Sequence, residues 1–259
     1  MPNRDKAPSG SPCWADLWTA DVEGSRKFYT ALFGWEAQDT NPEFGGYFMF
    51  TRSGAPIAGG MGDMGDLRAD NRWRIYLETD DVAKTVTATE SEGGRILAPV
   101  SPVADLGVQA VLLDSTGAAV GAWQPGTFPG FTILGEHGTP SWFELQTRDH
   151  ARAVAFYRSV FGWEIAAVGD NEEVTYTSMR GPNNEEAIAG IMDAAAFLPD
   201  GAPANWSIYW ATDDVDATVA EAKALGGSVV MDPMDTPYGR LATVADPAGA
   251  QFKLRSLKS

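Results

Sequence analysis

Charged and aromatic residues alternate along several short apolar stretches of this 259-residue chain. Trp14, Asp16 and Trp18 take every second position of one stretch, and Trp142, Glu144 and Gln146 of another. Arg74, Tyr76 and Glu78 follow the same spacing, as do Ser207 with Tyr209 and Lys253 with Arg255; Trp123 stands near the end of a further stretch. In a β-strand that spacing brings side chains to one face. A carboxyl buried among aromatic rings has its pKa raised, which suits Asp16, Glu144 or Glu78 to general acid or base work, with Tyr76 or Tyr209 as proton donor. The same faces offer wide apolar area and a few charges, which is what a site for a planar organic molecule needs.

Other chemistries lack their residues. Cys13 is the one cysteine, so neither an internal disulfide nor a cysteine zinc site can form. His137 and His150 are the two histidines; the first falls in a linker and the second opens a helix, so a Ser-His pairing with Ser207 is not expected. Gly59-Gly60 and Gly93-Gly94 lack the rest of a phosphate-loop signature. The net charge of −16 argues against nucleic acid and anionic membrane as partners. Nothing in the chain is apolar over the ~18 residues of a membrane span. Met1–Ser11 read as a flexible polar tail without a signal peptide, and the expected location is the cytoplasm.

The elements that must position these faces repeat. Residues 12–37 and 140–165 are identical at 11 of 26 positions at an offset of 128, a match that includes Trp14/Trp142 and the Phe-Gly-Trp-Glu blocks at 33–36 and 161–164. Three further blocks recur in the same order: Pro56–Met61 with Ala187–Met192, Trp73–Val82 with Trp206–Val215, and Asp114–Ala118 with Asp246–Ala250. Two copies of one module are the simplest source of such order. Within a module each half reads strand, Asp cap, helix, then three strands. In the first half Asp21 caps the helix and Gly34 stops it, with a turn at Ser53-Gly54; in the second, Asp80 or Asp81 caps and Gly93-Gly94 stop. The expected class is α+β: four βαβββ units in two tandem modules, residues 12–125 and 139–259, joined by a Gly- and Pro-rich linker at 126–138. Trp35 and Trp163 are expected to pack the core.

Strand, Asp, helix with Phe-Tyr, then Phe-Gly-Trp, together with the Thr-Asp-Asp-Val blocks and the Asp-x-x-Gly turns, resembles the vicinal oxygen chelate superfamily. That superfamily includes glyoxalase I, bleomycin-resistance proteins and extradiol dioxygenases, and the resemblance spans residues 12–256. It implies paired βαβββ units wrapped into eight-stranded cups. It also implies a pairing of unit one with unit four and unit two with unit three. One cup would then hold Trp14, Asp16, Trp18, Ser207, Tyr209, Lys253 and Arg255. The other would hold Trp142, Glu144, Gln146, Arg74, Tyr76, Glu78 and Trp123. Asp16 with Lys253, and Glu144 with Arg74, would be ion pairs.

Metal-binding members use His and Glu from the first and last strands. Those positions fall here on Trp14, Trp142, Arg74, Ser207, Gly59 or Gly60, Gly121, Gly190 or Ile191, and Lys253. None is a ligand for a divalent cation, so no metal and no cofactor is expected. Three roles stay open: a module that binds an aromatic or polycyclic metabolite, a metal-independent hydratase, isomerase or lyase of natural-product metabolism, and a scaffold whose cups are plugged by Trp14 and Trp142. The duplication makes a monomer sufficient and leaves a homodimer open.

Overall fold

A computed structural model describes residues 5–62, 71–168, 175–180 and 188–257. Met1–Arg4 of the expected tail and Ala187 of the repeated block lie outside the described residues. Two eight-stranded mixed sheets and four α-helices account for the fold.

In the first module, β1 (Pro12–Thr19) leads into α1 (Val22–Phe33), followed by β2 (Glu36–Ala37), β3 (Phe48–Arg52) and β4 (Ala55–Gly62). The second unit repeats this with β5 (Arg72–Glu78), α2 (Val82–Ser91), β6 (Arg95–Val103), β7 (Gly107–Leu113) and β8 (Ala119–Pro125). The second module runs β9 (Pro140–Thr147), α3 (His150–Phe161), β10 (Glu164–Ala167), β11 (Tyr176–Arg180), β12 (Ala189–Asp193), β13 (Asn205–Thr212), α4 (Val215–Ala224), β14 (Ser228–Thr236), β15 (Gly239–Ala245) and β16 (Gln251–Ser256). Asp21, Asp81, Asp149 and Asp214 cap the four helices, each side chain accepting from the backbone N–H three residues further on. Gly34 and Gly162 close α1 and α3 in the left-handed conformation.

The strand order is β2-β3-β4-β1-β5-β8-β7-β6 in one sheet and β10-β11-β12-β9-β13-β16-β15-β14 in the other. This corrects the expected pairing. Unit one shares its sheet with unit two, and unit three with unit four. The two first strands of a module run antiparallel side by side, with Asp16 opposite Arg74 and Trp14 opposite Tyr76. Units that follow each other in sequence pair because their connection is short.

The expected 1–4 and 2–3 partnership is present on the helix side instead. α1 packs on α4 and α2 on α3, and β5 lies against β13. The repeated motifs explain it. The Tyr29 hydroxyl of α1 donates to Asp246 Oδ2 in the second module's Asp-x-x-Gly turn at 3.2 Å and accepts from Trp73 Nε1 at 3.1 Å. The Tyr157 hydroxyl of α3 makes the mirror set, to Asp114 Oδ2 at 2.9 Å and from Trp206 Nε1 at 2.8 Å. Each Asp Oδ1 meanwhile closes its own turn, accepting backbone N–H groups of residues two and four further on. Trp35 and Trp163, buried as expected, reach beyond their own modules: Trp35 Nε1 donates to the Gly138 carbonyl at the end of the linker at 2.7 Å, and Trp163 Nε1 to that of Gly10, ahead of the first module, at 2.8 Å. Gly10 in turn bonds Glu78 through its backbone, and Ala7 and Ser11 are buried, so this part of the expected loose tail is built into the core.

Candidate functional site

The concave face of the first sheet encloses a cavity of about 670 Å³. Trp14, Asp16 and Trp18 of β1, Arg74 and Tyr76 of β5, and Trp123 of β8 line it together. These were expected in two different cups; the sheet pairing unites them. Phe128 closes the back, its ring 4.8 Å from that of Trp14 and nearly perpendicular to it. Pro102, Val103, Leu106 and Val111 of the β6–β7 hairpin form an apolar wall, and Gln38, Asp39, Asn41 and Glu43 a polar rim. Trp14 is thus the floor of an open cup rather than a plug.

Asp16 sits on that floor, 5% exposed. Its Oδ1 accepts from Tyr47 OH at 2.7 Å and from Trp14 Nε1 at 2.9 Å, and the same indole N–H reaches Tyr47 OH at 2.8 Å. Burial raises the Asp16 pKa; the bonds from Tyr47, Tyr76 and Trp14 and the charge of Arg74 oppose that rise. Burial likewise pushes the Tyr47 and Tyr76 phenols up, and the Asp16 charge adds to it, so both remain donors at neutral pH. Arg74 is 4% exposed, its guanidinium 4.5 Å above the Trp18 ring.

The second sheet repeats the pattern with different polarity. Glu144 on β9 replaces Asp16, and Trp142 Nε1 donates to Tyr176 OH at 2.7 Å. Lys253 on β16 donates to Glu144 Oε1 at 2.6 Å and to Tyr209 OH at 3.1 Å, and Gln146 Nε2 donates to the same Glu144 oxygen at 3.0 Å. The expected ion pairs are therefore corrected: Lys253 pairs with Glu144, and Arg74 faces Asp16. Ser207 stands opposite Glu144 in the strand register, while Arg255 turns to the Tyr238 carbonyl. Glu78 joins neither cup; it is fully buried beside Lys6 Nζ at 3.0 Å, and burial raises its pKa against the pull of that lysine. His137 contacts Asp213 and His150 contacts Thr177, both away from the cups.

Sequence reasoning missed Tyr47 and Tyr176. Their signal lies in the glycines across from them. A Cβ on Gly59 would stand 1.8 Å from Tyr47 OH, one on Gly190 2.3 Å from Tyr176 OH, and one on Gly121 2.1 Å from the Tyr76 ring. Three of the four last-strand positions at which the resemblance would put a metal ligand are thus overlaid by phenol rings, and the fourth is Lys253. Each floor offers one carboxylate, two phenols, an indole and a cation. That set does not fit a divalent metal, because the fixed guanidinium or ammonium would repel it. Among the described residues no group of three or more His, Cys, Asp or Glu could hold a metal ion.

The fold and these cups define a class. The chain belongs to the glyoxalase/bleomycin resistance protein/dioxygenase superfamily, whose model matches residues 13–121 and 139–254. It is 38% identical over 266 residues to CFP32 of Mycobacterium tuberculosis, a protein whose name carries the word glyoxylase, covering 98% of this chain and 97% of that one. It is 33% identical over 268 residues to the anthracycline biosynthesis protein DauV of a Streptomyces species, with 96% and 94% covered. The fold is shared with a Mn(II)-bound glyoxalase from Novosphingobium aromaticivorans at a TM-score of 0.66 and 17% identity, over 97% of this chain and 83% of that one. Among the described residues no helix is long and apolar enough to cross a membrane.

Proposed function

We propose that the first-module cup binds a planar aromatic or polycyclic metabolite, and does so without a metal. The observation that carries this reading is the cavity of about 670 Å³ walled by Trp14, Trp18, Trp123 and Phe128, with one carboxylate and one guanidinium at its floor. That volume falls within the ~300–1,000 Å³ of small-molecule sites, and aromatic walls with few convergent polar groups are their usual make-up. Offset stacking on three indoles favours a flat, electron-poor ring system. The name of the Streptomyces relative supports the same class, since anthracyclines are polycyclic aromatics.

The second cup supports no such reading. Where the first sheet has Gly121 opposite Tyr76, the second has Lys253 opposite Tyr209, and that side chain spans to Glu144.

The test is a tryptophan-fluorescence titration of the intact protein with hydroxyanthraquinone and with single-ring phenols, in the presence of a chelator. Saturable quenching by the polycycle, unchanged by the chelator and weakened by Trp18→Ala, is expected. Binding that requires added metal, or no binding of any fused-ring compound, would remove the proposal.

A further inference from the structure

We infer that the floor of the first cup is a proton-transfer site for an enolisable aryl ketone, with Asp16 carrying the proton and Arg74 holding the carbonyl oxygen. The inference deepens the reading of this cup as an aromatic site and rests on it.

Two oppositely charged side chains face each other across the β1–β5 pair without joining in an ion pair. Asp16 and Arg74 are direct cross-strand partners, a relation that brings Cβ atoms within about 5.5 Å. Yet Asp16 spends its Oδ1 on Tyr47 and Trp14, and Arg74 lies against the Trp18 ring. The Arg74 Nε has no hydrogen-bond partner, although the residue is 4% exposed. A buried donor left unmet is costly. Tyr76 lines the same cavity as both charges. In the second cup the homologous carboxylate is consumed: Lys253 Nζ is 2.6 Å from Glu144 Oε1. The first cup alone keeps a positioned carboxylate and a cation apart, at the bottom of an aromatic cavity.

Such a pair matches the two ends of an enolisable ketone. The Asp16 carboxylate takes a proton from the carbon conjugated to the carbonyl. The C–H electron pair becomes the new C=C bond, and the carbonyl π pair moves onto oxygen, where the Arg74 guanidinium stabilises the enolate. Asp16 then returns the proton to oxygen, giving the enol, or to carbon, restoring the ketone. No atom is gained or lost, and neither oxidant nor metal enters the step. Tyr47 and Trp14 are positioning residues that fix the carboxylate.

Anthrone is a suitable probe: a flat three-ring ketone whose central methylene protons exchange through this enol. Under anaerobic conditions in deuterium oxide, the native protein should accelerate loss of the methylene proton resonance roughly 10²-fold or more over buffer, the scale of general acid–base catalysis. A chelator should change nothing. Asp16→Asn keeps an acceptor for Tyr47 and Trp14, so it should still quench tryptophan fluorescence on binding anthrone while its exchange falls to the buffer rate. Arg74→Gln should lose most of the acceleration. Anthrone that binds but exchanges at the buffer rate would overturn the inference and leave the binding site standing. So would an Asp16→Asn variant that exchanges as fast as the native protein. Anthrone that does not bind would overturn this inference, and the reading beneath it would fall with it if no other fused-ring compound binds.

Discussion

Replacing Tyr29 by Phe removes one buried oxygen and two hydrogen bonds that tie α1 to the rest of the molecule. The ring stays, with its packing against Phe28, Trp35, Phe50, Trp73 and Phe252, so no large cavity opens. What changes is that Asp246 Oδ2 loses its donor and Trp73 Nε1 its acceptor. Tyr29, Asp246 and Trp73 are all at most 5% exposed, so water does not replace the hydroxyl. Each orphaned buried group costs about 1–3 kcal/mol, so the two together cost roughly 2–6 kcal/mol. That is a large part of the ~5–15 kcal/mol by which a domain is stable, and for a chain of this size it corresponds to roughly 4–24 °C in Tm. Urea unfolding followed by tryptophan emission and by far-UV circular dichroism should show the midpoint falling with an unchanged slope, the two probes coinciding. A loss below about 0.5 kcal/mol, or a variant in which one module unfolds while the other keeps the native midpoint, would refute the shared, cross-module core.

Gly121→Ala should force the Tyr76 ring from the floor of the first cup, since the new Cβ would stand 2.1 Å from it; a destabilisation of about 1–3 kcal/mol and loss of ligand quenching are expected. Lys253→Met leaves Glu144 buried beside Tyr209 and should cost about 3–5 kcal/mol by denaturant unfolding, most of it recovered by a second Glu144→Gln change. For Asp16, the raised folded-state pKa means that the folded protein holds this proton more tightly than the unfolded chain. Its charged form therefore subtracts stability as pH rises from the ordinary carboxylate range through the raised value, and Asp16→Asn should be most stable relative to the native protein at neutral pH. That advantage should shrink in acid, a trend measured by unfolding both proteins from pH 7 down to pH 4.

The fold was legible because its signals are local and repeated. Asp caps, Gly stops and period-two strands recur four times, and the duplicated Phe-Gly-Trp and Asp-x-x-Gly blocks announce the units. Sheet pairing was not legible, since the same alternating faces satisfy either partner arrangement. Only the short connection between successive units and the cross-module bonds of Tyr29 and Tyr157 decide it. That one question moved Arg74, Tyr76 and Trp123 beside Trp14 and Asp16, and moved Lys253 to Glu144. Strand parity alone also sent Glu78 into a cup, whereas the N-terminal segment covers it with Lys6. Tyr47 escaped notice because its site lies outside the first and last strands; the glycines it overlies carry the information only once the register Asp16 to Gly59 is known.

The most direct test of the central claim is a crystal structure of the protein with a bound hydroxyanthraquinone, prepared in the presence of a chelator. Ring density is expected in the first cup, between Trp14, Trp18 and Trp123, with an oxygen within hydrogen-bond distance of Arg74. Density confined to the second cup, or a metal ion bridging the ligand to the floor, would contradict it.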